Sequence, residues 1–367
     1  MADKELFIPT RTTVATPPPP GKRKKPKLSA DQNIYLAKKQ VSNFCFNLIT
    51  LVLILGLCVV ILYPFIQLVP SVGSAMEDLG NPNVIFIPEE WSSLSFSSAI
   101  RMTMPEGFLT MAKSIGFALV LMVIQVVISA MTGYTMARVK YKWLSPIIFV
   151  MVILVFLTPR QSLLLAQYIY FSNFDGMGLV PLLEKLFPSW TALQNLIEDG
   201  EILLIGKPAA LYMQALLGNG VNQSLMILIF SQFFKNIPKE LEEAALIDGC
   251  GFYKTYYKIM VPNAIPAIVI VAILSFVWNY GDTYYARYFD PNGPHLASTL
   301  ATTFIDANKQ TLLTRVQNWY GVPVTTDMTF DTLKQAGVLV FLAPRVVLYL
   351  FAQRWLVENL ENSGLVG

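Results

Sequence analysis

At 367 residues, 54% hydrophobic and only 14% charged, with a mean hydropathy of +0.50, the chain has the composition of an integral membrane protein and not of a soluble globular one. Its three cysteines, Cys45, Cys58 and Cys250, and its single histidine, His295, lack metal-ligand spacing and give no basis for a zinc site or a structural disulfide. The net charge of +3 acquires meaning only when it is divided between the two sides of a membrane.

In chain order, residues 1–42 come first. The stretch TPPPPGKRKKPK at 16–27 holds proline and lysine but no apolar residue for a core, so a disordered, basic, extended tail is expected, a solubilising leader whose lysines can touch anionic lipid. Six apolar runs follow, each near the length needed to cross ~30 Å of hydrocarbon at ~1.5 Å per residue. They lie at about 43–69, 114–136, 144–168, 209–234, 264–280 and 337–356. The fifth is short, so its helix is expected to begin before Pro266 or to continue past Asp282. No cleavable signal peptide is expected, because the first run is too long and a polar stretch precedes it. In the tail, the loop at 137–143, the loop between the fourth and fifth runs and the carboxyl end taken together, 17 Lys and Arg stand against 9 Asp and Glu, which places both termini in the cytoplasm by the positive-inside rule.

Between the fourth and fifth runs stands KELEEAALIDGCGFYKTYYKIMVP, residues 239–262, polar and helix-favouring where a few turn residues would join two spans. Asn236 and Pro238 suit a helix start as capping residue and first-turn proline, and Glu240, Glu242 and Glu243 complement the positive end of the dipole. The helix is expected to run to Asp248, with Gly249 in the left-handed conformation and Gly251 relaxing the next turn. Phe252, Tyr256 and Ile259 then recur at helical spacing opposite Lys254 and Lys258. Ala244 and Ala245 offer a slim surface to another protein's backbone, and a neighbouring carboxylate can take a charge-assisted bond; a solvated connector between two spans fits the same shape.

Chemistry is sparse. Every Asp and Glu falls outside the six runs, which weighs against a proton- or sodium-driven carrier. GxxxxGK[ST] is absent, and no Ser-His or Cys-His constellation can be built around His295, so neither ATP hydrolysis nor intramembrane catalysis is expected of this chain. A passive pathway remains, or one driven by another subunit.

EAALIDGCGFYKTYYKIMVP resembles the EAA motif of ABC-importer permeases through Glu243, Ala244, Ala245, Gly249, Ile259 and Pro262. YPF at 63–65, YTMARVKY at 134–141, FFKNIPKELEEAALIDG at 233–249, FVWNYGD at 276–282 and AQRWLVENLENSGLVG at 352–367 resemble the carbohydrate-uptake branch, the kind that includes the smaller permease of the maltose importer. The resemblance covers about 43–367. It implies an all-α, six-span permease of the type I importer fold in a bacterial plasma membrane, with a cytoplasmic coupling helix and long external loops. It also implies a second permease as heterodimer partner, two ATPase subunits carrying ATP and Mg, an extracellular substrate-binding protein and a carbohydrate solute; this chain itself would hold no cofactor and contact no nucleic acid. Glu243, Ala244, Ala245, Asp248 and Gly249 would form the ATPase contact within an EAA loop at about 238–262.

The pattern departs from the family in an insertion at about 182–207, LLEKLFPSWTALQNLIEDGEILLIGK. Leu186, Trp190, Leu193 and Leu196 could line an interfacial helix that touches the binding protein, or a lid packed on the spans. The external loop at about 283–333 is also long, and DPNGPHL at 290–296 is turn-rich enough to form an exposed tip. Arg345 follows Pro344 near the middle of the sixth run, where an uncompensated charge costs at least ~2.5 kcal/mol, so it should meet a cavity, a partner or a free carbonyl. For the solute path, Trp278 and Tyr280 can stack on sugar faces, and Gln125, Gln161 and Asn279 can bond hydroxyls; each also has a packing explanation. A sugar phosphate or polyol is the alternative solute, and an ion-coupled carrier or channel the alternative class.

Overall fold

The computed structural model describes residues 30–75, 78–79, 87–139, 143–172, 174, 185, 197–198, 201–202, 204–321 and 327–362. Contacts divide the chain at Pro64 and Phe65 into two units. Helix α1, Ala30–Gly73, runs through both, and its first part belongs to the smaller unit.

In the larger unit the end of α1 packs on α2, Leu94–Thr103, through Val72 and Ala99. Then come α3, Phe108–Arg138; α4, Leu144–Leu157; and α5, Arg160–Ser172. Next are α6, Ala209–Leu216; α7, Gln223–Asn236; α8, Lys239–Ile247; α9, Phe252–Thr255; and α10, Ile265–Tyr280. The last four are α11, Tyr284–Phe289; α12, Leu296–Thr303; α13, Lys309–Tyr320; and α14, Asp327–Asn362. The only strands among the described residues pair Ile197↔Ile202 and Glu198↔Glu201 within the insertion. Leu186, Trp190, Leu193 and Leu196, expected on one helical face there, lie outside the described residues.

Among the described residues three helical stretches are long and apolar enough to cross a membrane: Lys38–Gly73, Phe108–Arg138 and Asp327–Trp355. Two bent pairs bring the number to five if each counts as one span: α4 with α5, bent by 103°, and Phe252–Asn263 with α10, bent by 77°. The first bend sits at Thr158 (φ −71°, ψ 125°), extended because Pro159 follows it. The second sits at Ala264, ahead of Pro266, so the fifth run starts its helix one residue before that proline and ends at Tyr280 without passing Asp282. The expected fourth span is divided: α6 ends at Leu216, α7 begins at Gln223, and between them Gly218 (φ +78°) and Asn222 (φ +52°) take left-handed conformations that no helix continues.

Helix α3 is the pillar of this unit, packed along α7, α10 and α6. It meets α7 at Gly133, where a Cβ would lie 2.6 Å from the Phe230 Cβ and 2.9 Å from the Ser231 amide nitrogen. Around that crossing Ala130, Tyr134, Met226, Phe230, Phe234 and Tyr256 form a buried apolar cluster.

Only the turn of DPNGPHL, Pro291 and Asn292, is exposed, and the two ends of the segment fold inward. Asp290 and His295 are both buried, with Oδ2 and Nε2 2.8 Å apart. Leu296 donates its amide to Ser114 Oγ on α3 (3.0 Å), that hydroxyl donates to the Pro294 carbonyl, and the imidazole stands edge-on to Phe117. The turn residues fold this segment down onto α3 because its one acid and one imidazole satisfy each other out of water. A Cβ on Gly293 would overlap both the Asp290 carboxylate and the His295 ring. Gly293→Ala should therefore lower stability by about 1–3 kcal/mol, read as a drop in the thermal midpoint of the detergent-solubilised chain.

Candidate functional site

Helix α8 is the exposed connector between α7 and α9. Its start differs from the expected cap: Ile237 is extended (ψ 128°) because it precedes proline, so α7 must end at Asn236, and Pro238 itself is the N-cap, one position before the first helical residue. Its end follows the local chemistry. Gly249 has φ +77°, its amide donates to the Leu246 carbonyl (3.1 Å), and the Cys250 amide donates to the Ala245 carbonyl (2.9 Å). These two bonds are a Schellman motif, which satisfies the last carbonyls of the helix and turns the chain sharply. Beyond Gly251, α9 passes into a π turn, Tyr256–Met260, just ahead of Pro262.

Of the five residues expected to meet another protein, Glu243, Ala244, Asp248 and Gly249 are exposed, whereas Ala245 is 3% exposed and turned into the chain. Leu241, Leu246 and Ile247 are exposed beside them, Ile247 at 86%. An apolar residue left uncovered in the last turn of a charged helix was a signal available in the sequence. So was Glu242, which the sequence reading took only as a dipole partner. Its Oε1 accepts from Tyr134 Oη (2.9 Å), and its Oε2 lies 3.2 Å from Arg138 Nε as an ion pair, not an aligned hydrogen bond. Arg138 Nη2 also donates to the Ile237 carbonyl (2.7 Å), so the last turn of α3 holds both the start and the first turns of α8.

Of the residues expected to line a solute path, the structure brings Gln125 and Asn279 together and gives the other three separate surroundings. Gln125 is fully buried, and its Oε1 accepts from both Ser275 Oγ (2.6 Å) and Asn279 Nδ2 (2.8 Å), linking α3 to α10. Trp278 packs on the cluster around Tyr134, and Gln161 is exposed on α5. Tyr280 is buried, stacked between Phe276 and Phe341 at centroid distances of 5.7 and 5.1 Å.

Arg345 meets a carbonyl on another helix: its Nη2 donates to Val277 O (2.9 Å) and its guanidinium lies 4.5 Å over the Phe341 ring. Gly281 gives it room, since a Cβ there would collide with the guanidinium. Next to these groups a cavity of about 540 Å³ is lined by Gly281, Thr283, Phe304, Asp306, Lys334 and Phe341. At the start of α11, burial pushes the Asp282 carboxyl above the ordinary carboxylate range, against the amides of α11 and against Arg160, 3.5 Å away, which pull it down.

Residues 125–361 match the family described as binding-protein-dependent transport system inner membrane component. The chain belongs to this family. The match takes in Gln125, Arg138, all of α8 and Arg345, and it makes this inner membrane component a transport permease by descent. It is 27% identical over 260 residues to the trehalose transport system permease protein SugB of Mycobacterium tuberculosis, covering 69% of this chain and 75% of that one. It is 24% identical over 256 residues to the arabinooligosaccharides transport system permease protein AraQ of Halalkalibacterium halodurans, covering 69% and 72%. A crystal structure of a bacterial ABC transporter involved in the import of the acidic polysaccharide alginate is similar with a TM-score of 0.60 and 16% identity, over 85% of this permease and 97% of that chain. At that identity the likeness speaks to the fold.

Proposed function

We propose that this chain is one of two permeases of a binding-protein-dependent ABC importer that carries a carbohydrate, an oligosaccharide above all, across a bacterial plasma membrane by alternating access. ATP and Mg are held by two partner ATPase subunits, and α8 is the coupling helix that docks on one of them. The observation that carries the reading is an exposed helix, closed by a Schellman turn at Gly249, standing between apolar helices inside the family match. The relatives named for trehalose and arabinooligosaccharides support the solute class. In this reading α6 and α7 together complete a sixth crossing, and both termini are cytoplasmic.

The test is co-purification in mild detergent followed by uptake into proteoliposomes containing the complete assembly. The wild-type chain should bring down an ATPase and a second permease, and labelled trehalose or an arabinooligosaccharide should enter only with ATP. Glu243→Lys should lose the ATPase while the chain stays monodisperse, because it reverses an exposed charge on the docking face. Uptake without any ATPase would replace the reading with an ion-coupled carrier or a channel.

A further inference from the structure

Helix α8 is joined to its chain neighbours by two short turns. At its start Ile237 and Pro238 are extended, with ψ of 128° and 137°, and at its end the chain passes through Gly249 and Gly251. The Schellman turn at Gly249 sets the angle between α8 and α9, and the proline ring holds φ of Pro238 at the other end. These joints tie α8 to its chain neighbours, α7 and α9; a tie to any other helix needs a further hold.

The hold comes from α3, about a hundred residues upstream. Tyr134 is 1% exposed, packed against Phe234 of α7 and Tyr256 of the π turn at centroid distances of 5.5 and 5.1 Å, and its hydroxyl reaches Glu242. The Arg138 side chain is 6% exposed and that of Glu242 21%, so the pair is shielded from the water and salt that weaken a surface ion pair. Arg138 also holds the Ile237 carbonyl, which pins the joint ahead of the helix. At Gly133 α3 is in turn pressed on α7 too closely for any side chain, so α3, α7 and the Tyr134 cluster form one packed body.

We propose that Glu242 is a positioning residue that registers α8 to α3, so that a displacement of α8 reaches α3 across the fold and not only along the chain to α7 and α9. Tyr134 and Arg138 are the two groups through which it acts. The inference rests on the importer reading for what pushes α8, but the registration itself belongs to this chain.

Spin labels at Thr135→Cys on α3 and Ile247→Cys on α8, with Cys45, Cys58 and Cys250 replaced by serine, report the registration directly in the full-length chain. The parent should give one narrow distance; Glu242→Ala should broaden it about twofold or more by leaving Arg138 without its charge partner. Glu242→Gln, which keeps an acceptor for the Tyr134 hydroxyl, should fall between them, and so should Tyr134→Phe, which keeps the ring packing and guards against a Glu242→Ala chain that fails to fold. In the complete assembly Glu242→Ala should retain its ATPase on purification yet lose uptake of trehalose or arabinooligosaccharide about tenfold or more. Label distances unchanged in all three variants would overturn the registration whatever the protein transports. So would loss of the ATPase from Glu242→Ala with the narrow distance kept, since that would make Glu242 a docking residue. Parent chains that give the narrow distance but show no ATP-driven uptake would remove the importer reading and leave the registration standing.

Discussion

Gly249→Pro should abolish uptake and ATPase binding while leaving the chain inserted and monodisperse. Proline fixes φ near −65° and has no amide hydrogen, whereas Gly249 sits at φ +77° and donates to the Leu246 carbonyl. Both bonds of the Schellman turn depend on that conformation, so α8 would lose its last turn and its direction, a local cost of about 3 kcal/mol or more. The variant should sediment with membranes and elute as wild type, with co-purified ATPase reduced at least about a hundredfold for that cost. Gly249→Asn is the control: asparagine tolerates the left-handed region and should retain most of the activity. Normal coupled uptake by the proline variant would remove α8 from the transport cycle.

A second large effect is expected at the α3 and α7 crossing. Gly133→Leu would place a branched side chain where even a Cβ lies 2.6 Å from the Phe230 Cβ and 2.9 Å from a backbone nitrogen of α7. Backbone cannot rotate away as a side chain can, so the two helices must separate, at a cost of about 3 kcal/mol, the upper end for overpacking. Size-exclusion profiles after heating should show the midpoint falling well below wild type, with most of the chain aggregated at temperatures wild type survives. Gly133→Ala should move it in the same direction by less. A wild-type midpoint for Gly133→Leu would mean that α3 and α7 are not in contact there.

What could be read from the sequence was what depends on neighbours along the chain. Gly249 after Ile247 and Asp248 announces a helix end because only the residues on either side set its φ, and the structure gives φ +77°. Pro159 likewise carries the bend between α4 and α5, but the apolar composition of 144–168 continues through the break, so composition marks one run where the structure has two helices. The burial of Asp290 and His295 at the two ends of DPNGPHL was less legible. Turn residues look alike on a tip and on a folded-down loop, and the deciding contacts, Ser114 and Phe117, lie far upstream. Arg345 shows the same limit: its charge demanded a carbonyl or a partner, but nothing local says that the carbonyl is that of Val277 or that Gly281 leaves the space.

The sequence by itself determined that this chain belongs in a membrane, where its apolar runs lie, and that a polar helix ending at a left-handed glycine stands between two of them, because composition, period and turn chemistry act over a few residues. The tertiary structure alone decided that Ala245 faces inward, that Gln125 and Asn279 bond each other across α3 and α10, and that Glu242 is held by Tyr134 and Arg138. The pairings join residues more than a hundred positions apart, and which polar groups find each other out of water is settled only when the helices pack.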